Sequence, residues 1–246
     1  MVEEKLLIAR VNDLFRLCEK NASAKFTNFL NENEQSVIRE EFSYNENCMF
    51  FGGYEEAERC IFGVFPEWET ERDFPIAILK AESKFSKKLS HRDYLGTILS
   101  LGLDRGKVGD ILVCDNSAYI FVADEIADYV ADNIKKIANC GVKIQKTDIS
   151  LTELPKREYK EISAVCASLR MDAVLSSAMK LSRREAAMYI NSGKVAVNHR
   201  EITDVSHMLK VGDLLSVRGM GRVILSDVGS LTRGGKIHIL LKKYVR

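Results

Sequence analysis

The sequence predicts an α+β protein: a helical N-terminal region, an α+β sandwich in the middle and a small basic domain at the C-terminal end. Three observations predict it. Apolar residues recur at helical spacing over residues 1–40, and strand and helix signals run strand–helix–strand–strand–helix–strand over about 76–150. Basic residues gather in the last third. The chain has 246 residues, enough for one large domain or two to three small ones. With 46% hydrophobic residues, 11 Phe, 8 Tyr and only 3 Pro, it can bury cores and does not read as disordered.

Each element has a local reason. Leu6, Leu7, Val11, Leu14, Phe15 and Leu17 mark a first helix, and Phe26, Phe29 and Leu30 continue the helical pattern after a break. Phe50-Phe51-Gly52-Gly53-Tyr54 reads as a strand entering a glycine turn. Phe62-Gly63-Val64-Phe65 leads into Pro66, and the acidic stretch Glu67 to Asp73 reads as an exposed connector. Ile76-Ala77-Ile78-Leu79 opens the middle unit. Ser90 precedes a helix carrying Tyr94, Leu95, Ile98 and Leu99, which Gly102 closes. Two short strands, Gly109 to Val113 and Ala118 to Val122, flank the polar turn Asp115-Asn116-Ser117. Asp124 to Ala138 is amphipathic, with Ile126, Tyr129, Val130 and Ile134 facing inward, and Val142-Lys143-Ile144 starts a further strand. The expected division is an N-terminal α+β domain over 1–75, a middle domain over 76–150, a linker over 151–169 and a basic domain over 170–246.

The net charge of +1 conceals an asymmetry. Residues 170–246 hold 14 Lys and Arg against 6 Asp and Glu; from chain totals of 36 and 35, residues 1–169 keep 22 against 29. A module of charge +8 on a body of charge −7 is the footprint of a phosphate-binding domain. Within it, Arg170 to Leu175 begins a short helix. Ser182 with Glu185 three residues on forms a capping box that starts a second, and Gly193 stops it. Val195 to Asn198 and Arg200 to Ile202 form a tight hairpin, followed by a strand over 211–218, the glycine bend Gly219-Met220-Gly221-Arg222, and a last strand over 236–241. Arg183 and Arg184 fall in the first turn of the second helix. The macrodipole disfavours cations there, while the backbone N–H groups attract anions. Two planar guanidinium forks beside that end make a phosphate clamp. The terminal basic run Lys242-Lys243-Tyr244-Val245-Arg246 either solvates a sheet edge or extends the same face.

Several function classes are disfavoured. No apolar run nears the ~18 residues of a membrane span. The start, Met1-Val2-Glu3-Glu4-Lys5, places acids where a secretory signal carries basic residues, so a cytoplasmic, non-membrane protein is expected. The cysteines at 18, 48, 60, 114, 140 and 166 form no C-x-x-C pair, and no histidine cluster has zinc spacing; free thiols, no metal and no cofactor are expected. His91-Arg92-Asp93 copies a kinase tripeptide without its partners, and Asp93 fits the first turn of a helix better than a catalytic role. Gly102 to Lys107 mimics a phosphate loop but is one residue short, with Val108 where a hydroxyl must bind magnesium; Arg105 and Lys107 remain loop cations, open to RNA or to solvent.

Arg170-x-Asp172, Leu181-Ser182-Arg183, Ala186, Ile190, Gly193-x-Val195-x-Val197-Asn198 and Gly212-Asp213 resemble the αL RNA-binding domain named after ribosomal small-subunit protein four. Across the whole chain, Phe50-Phe51-Gly52-Gly53-Tyr54-Glu55-x-Ala57-Glu58-Arg59, His91-Arg92-Asp93-x-Leu95-Gly96 and Gly109-Asp110-Ile111 resemble the YlmH family of bacterial proteins, with Met171 replacing the usual Leu and Arg184 a common Ser. The resemblance implies an RNA-recognition-like middle domain and an αL domain whose two helices and hairpin bind folded RNA by shape and phosphate contacts. The expected RNA-binding set is Arg170, Ser182, Arg183, Arg184, Lys194, Asn198, Arg200, Arg218 and Arg222. The implied partners are rRNA, tRNA and the large ribosomal subunit, gripped during quality control of stalled translation, with no enzymatic step and no small-molecule cofactor. The alternatives are a cell-division scaffold and, third, an RNA-modifying enzyme similar to pseudouridine synthases that would use Asp93.

Overall fold

The computed structural model describes residues 2–42, 45–83, 89–149, 153–155, 159–198, 200–232 and 234–244. The chain folds as two compact units, Met1–Pro155 and Lys156–Arg246. In the first, α1 (Val2–Asn21) and α2 (Glu32–Phe42) cover a small antiparallel sheet of β1 (Lys25–Phe26), β2 (Cys48–Phe51) and β3 (Ile61–Val64), ordered β1-β3-β2. Strand β3 is buried on both faces. Phe62 and Val64 join Val11, Cys18 and Ile38 under the helices, while Ile61 faces a second cluster with Phe29 and Phe121. Phe26 and Leu30, expected in a helix, lie instead in β1 and in an isolated bridge to Cys60, and Phe29 lies between them. Their three apolar side chains are too few to fix a helical period, and the backbone hydrogen bonds offered by β3 and its neighbours decide the matter.

The rest of this unit is a five-stranded antiparallel sheet, ordered β5-β6-β4-β8-β7, of β4 (Ile76–Ser83), β5 (Val108–Val113), β6 (Ser117–Ala123), β7 (Lys136–Ile137) and β8 (Cys140–Lys146). With α3 (His91–Leu99) after β4 and α4 (Asp124–Asn133) after β6, strands β4, β5, β6 and β8 follow the split βαββαβ order of RNA-recognition-like folds, and the short β7 adds an edge strand beside β8. Alternate residues face opposite sides. Leu79, Ala81, Ile120 and Val122 pack with Tyr94 and Ile98 of α3 and with Ile126 and Val130 of α4. Ile76, Ile78, Tyr119 and Phe121 point the other way, against Phe29, Tyr54 and Ile61. The unit is thus layered helix–sheet–sheet–helix. Tyr129, expected inward, is 48% exposed. The buried stripe of α4 centres between Ile126 and Ala127, and Tyr129 lies more than a quarter-turn from it.

The motif glycines and polar groups seal the seam between the two sheets. Gly53 has φ +96°, and a Cβ there would stand 2.4 Å from the Phe121 ring. Asp110, only 7% exposed, accepts hydrogen bonds from the Tyr54 hydroxyl (2.7 Å) and from the backbone N–H of Glu58 (2.7 Å) and Arg59 (3.2 Å). Ser90 caps α3, accepting from the Asp93 N–H, while the Asp93 carboxylate accepts from the Ser90 N–H and hydroxyl. Asp93 therefore serves the helix start. The loop from Gly102 forms a 3₁₀ turn, Arg105–Lys107, capped by Asp104 through the Gly106 N–H. Lys107 pairs with Glu125. All six cysteines are free thiols.

The second unit is a six-stranded antiparallel sheet ordered β11-β10-β12-β13-β14-β9, from β9 (Tyr159–Cys166), β10 (Val195–Val197), β11 (Arg200–Glu201), β12 (Leu214–Val217), β13 (Gly221–Leu231) and β14 (Ile237–Tyr244). Helices α5 (Met171–Met179) and α6 (Arg183–Asn191) pack on it through Met171, Val174, Leu175, Ala186 and Ile190. Residues 159–166, read from the sequence as part of a connector, are the edge strand β9; residues 151, 152 and 156–158 of that connector lie outside the described residues. Ile162, Ala164 and Cys166 alternate inward along β9, and β14 supplies its hydrogen-bond partners. Residues 245 and 246 of the terminal basic run also lie outside the described residues.

The Asp110 network yields a stability prediction. Asp110→Ala strands three half-buried donors and should destabilise the protein by about 3 kcal/mol, whereas Tyr54→Phe, losing one hydroxyl, should cost about 1 kcal/mol. Urea unfolding followed by circular dichroism measures both, and equal effects would contradict the network.

Candidate nucleic-acid interface

The basic site is built around one buried carboxylate. Arg170 precedes α5 with extended backbone, and Met171 and Asp172 open the helix. Their N–H groups donate to the carbonyls of His207 (2.8 Å) and Val205 (3.3 Å), so loop residues, and not an anion, satisfy the start of α5. Lys180 ends α5 in the left-handed region at φ 55°, and the Ser176 hydroxyl donates to the Leu181 carbonyl at 2.6 Å. This tight corner delivers Ser182 as the cap of α6. Its hydroxyl accepts from the Glu185 N–H at 3.2 Å, and the Glu185 carboxylate accepts from the Ser182 N–H at 2.8 Å.

Asp172 is 8% exposed and receives two guanidinium groups. Arg170 Nε donates to one oxygen at 3.2 Å, and an Arg183 terminal nitrogen donates to the other at 2.9 Å. Burial pushes the Asp172 carboxyl upward, but the hydrogen bonds and charges of Arg170 and Arg183 outweigh it and hold the group below its ordinary 3.8. Asp172 thus aims Arg170 and Arg183 from a fixed point. Arg184 is exposed and makes no ion pair among the described residues. The N–H groups of Arg183 and Arg184 likewise have no acceptor among the described residues. Two guanidinium groups and two unsatisfied helix N–H groups therefore share one helix end, the arrangement that binds phosphate oxygens.

The other expected residues lie beyond the far end of α6. Gly193 turns the chain at φ +67°, and a Cβ there would stand 2.5 Å from a Glu201 carboxylate oxygen. Lys194 follows, its ammonium 5.6 Å from the centre of the Tyr189 ring, and its carbonyl accepts from the Arg218 N–H at 2.9 Å. Asn198, at φ 46°, turns the hairpin. Its amide donates to Asp213 at 2.8 Å and accepts from the Leu214 N–H at 2.9 Å, which ties β10 to the start of β12. Arg200 lies on the exposed edge strand β11, and Arg222 pairs opposite Ser216 across β12 and β13. The structure groups Arg170, Ser182, Arg183 and Arg184 at the helix corner, and Lys194 and Arg218 at the hairpin base. The sequence reading missed the anchoring role of Asp172; its signal was the Arg170-x-Asp172 spacing at a helix start.

Two short helices at a capped corner, followed by a hairpin edged with cations, define a small RNA-binding module of the S4 type. Residues 169–215 match the family described as "S4 domain", and residues 69–151 match "Putative RNA-binding domain in YlmH". Over 245 residues the chain is 28% identical to a Bacillus subtilis (strain 168) protein named "Ribosome-associated protein quality control protein P2", covering 98% of this chain and 95% of the relative. The solved structure of "Cell division protein ylmH from Streptococcus pneumoniae" shares the fold at 20% identity and a TM-score of 0.52, covering 60% of this chain and 92% of that one. The chain is an RNA-binding protein with an S4 domain and resembles the YlmH family over nearly its whole length. No helix among the described residues is long and apolar enough to cross a membrane.

Asp172→Ala should destabilise the protein by about 2 kcal/mol, because two charge-assisted hydrogen bonds are lost from partners that remain partly solvated. The carboxyl is depressed on folding, so its contribution is present above its unfolded value of about 3.8 and disappears as pH falls through the lower folded value. The melting-temperature gap between wild type and Asp172→Asn should therefore be constant from pH 5 to 8 and shrink below pH 4.

Proposed function

We propose that this protein docks on structured rRNA and tRNA at the large ribosomal subunit and acts there in quality control of stalled translation, without catalysing a reaction. The observation that supports this most is the helix corner of the S4 domain, where Arg183 and Arg184 stand beside two unsatisfied N–H groups. Such a surface contacts phosphates and shape, which suits folded RNA whose deep groove hides base edges. In this reading Arg183, Arg184, Lys194 and Arg218 touch phosphate. Arg170, Ser182 and Asn198 hold the corner and hairpin in place, and Arg200 and Arg222 extend the basic sheet. The name of the Bacillus subtilis relative supports the ribosomal setting, and a ribosomal partner implies a cytoplasmic location. The modifying-enzyme alternative has less support, since Asp93 is engaged as a helix cap.

The pneumococcal structure, named as a cell division protein, keeps a division scaffold as the second reading. Crosslinking in cells followed by sequencing of attached RNA separates the two. Wild type should recover large-subunit rRNA and tRNA, and Arg183→Glu/Arg184→Glu should lose them. Scattered background RNA from both proteins would favour the scaffold. In vitro, affinity for a tRNA should fall steeply with salt, and the double variant should flatten the log–log slope by roughly 1.4–1.8, about 0.7–0.9 per lost phosphate contact.

A further inference from the structure

A cavity of about 550 Å³ opens in the first unit beneath α1, lined mostly by residues outside both family-matched regions. Leu7, Arg10 and Leu14 reach it from one face of α1, at positions i, i+3 and i+7. Phe26 forms part of the apolar wall, and Arg59 and Arg105 form the cationic one. The volume lies within the roughly 300–1,000 Å³ of small-molecule sites.

The two inner arginines are held in an unusual way. Arg59 donates through Nε to the Val108 carbonyl at 3.1 Å and through a terminal nitrogen to the Phe29 carbonyl at 2.7 Å. Arg105 donates to the same Val108 carbonyl. Both are half-buried, converge on one carbonyl oxygen, and make no ion pair with a carboxylate among the described residues. Glu34, Asp110, Glu32 and Asp104 act on Arg59 through space, Glu34 and Asp104 from the cavity lining, and three of them have hydrogen-bond donors of their own. Asp104 accepts from the Gly106 N–H, Glu34 accepts from the Asn31 N–H at the start of α2, and Asp110 accepts from Tyr54 and two N–H groups. Burial, and then repulsion from Arg59, lowers Arg105 to about 10. Each guanidinium keeps N–H donors beyond those it gives to carbonyls. Positive charge that is partly desolvated and lacks a contacting counter-ion is stabilised by an anion, and the fork geometry suits phosphate.

We infer that this cavity binds a nucleoside monophosphate unit, either free or as the phosphorylated end of an RNA strand, with the phosphate on Arg59 and Arg105 and the base against Leu7, Leu14 and Phe26. Arg10, exposed on α1 without an ion pair among the described residues, also lines the cavity and adds a third cation to it. The site is separate from the S4 corner, so its failure and the failure of the ribosomal reading are distinguishable.

The test is calorimetric titration of the full-length protein with AMP, UMP, inorganic phosphate, and a six-nucleotide RNA with and without a 5′-phosphate. At least one nucleotide or the phosphorylated RNA should bind at least tenfold more tightly than inorganic phosphate. Arg105→Gln should weaken that binding at least tenfold and Arg10→Gln about threefold, while Arg183→Glu/Arg184→Glu should leave AMP and UMP binding, and the affinity ratio of phosphorylated to unphosphorylated RNA, unchanged. Should Arg105→Gln fail to fold, Arg10→Gln on the exposed helix surface carries the test. Preference for the phosphorylated RNA identifies a strand end as the ligand; equal binding of AMP or UMP identifies a free nucleotide. No binding at millimolar ligand, phosphate binding as tight as any nucleotide, wild-type affinity in the Arg10 and Arg105 variants, or loss of nucleotide binding or of the 5′-phosphate preference in the Arg183/Arg184 variant would each overturn the assignment.

Discussion

The buried carboxylate of Asp172 receives Arg170 from just before α5 and Arg183 from the first turn of α6. One group thereby joins the entry to the first helix, the start of the second and an arginine in that helix's first turn. Removing such a carboxylate from water is unfavourable unless its oxygens are matched, and two guanidinium donors match them. The consequence is directional. Arg183 is drawn back toward the protein, while Arg184, one position on, projects without an ion-pair partner among the described residues. The corner thus presents one anchored cation and one exposed cation without an ion pair among the described residues beside the same helix end.

The first unit resolves a different conflict. An RNA-recognition-like sheet ordinarily leaves one face for bases to stack on. Here much of that face is closed, because Ile76, Ile78 and Phe121 pack against Phe29, Tyr54 and Ile61, and Gly53 admits the Phe121 ring. The βαββαβ order is retained while its usual working face becomes an interior. Lys143 and Gln145, on β8, stay exposed at the opposite end of the sheet, and Lys80 pairs with Glu82 beside them.

Local chemistry made a large part of this legible. Ser182 with Glu185 announces a capping box within four residues, which forms, and Ser90, read as preceding a helix, closes a second one with Asp93. The turn at Asp115–Ser117 and the left-handed Asn198 mark their hairpins by residue type alone, and the left-handed Gly193 marks the end of α6. What escaped depends on distant partners. Strand β9 carries Lys160 and Glu161 and borders the sheet; it becomes a strand only because β14, more than seventy residues on, meets it along its length. Phe26 and Leu30 reveal their extended backbone only against β3 and Cys60. The Asp172–Arg183 contact spans eleven residues and two helices, so spacing along one helix could not disclose it.

The charge division of the chain follows from the same two solutions. In the S4 unit, basic side chains are exposed on a scaffold whose few acids are structural: Asp172 anchors arginines, Glu185 closes a cap, and Asp213 holds Asn198. Acids used this way subtract little from the outward field, because their oxygens point into the protein's own donors. In the first unit the relation is reversed. Its surface is acidic, yet Arg59 and Arg105 are drawn inward to backbone carbonyls beside a cavity. A polyanion approaching the whole chain is therefore attracted to the S4 face and repelled from most of the first unit. Only a group small enough to enter the cavity would meet the inner arginines. The distribution of carboxylates and guanidinium groups thus separates recognition of a folded RNA surface from recognition of a single phosphate.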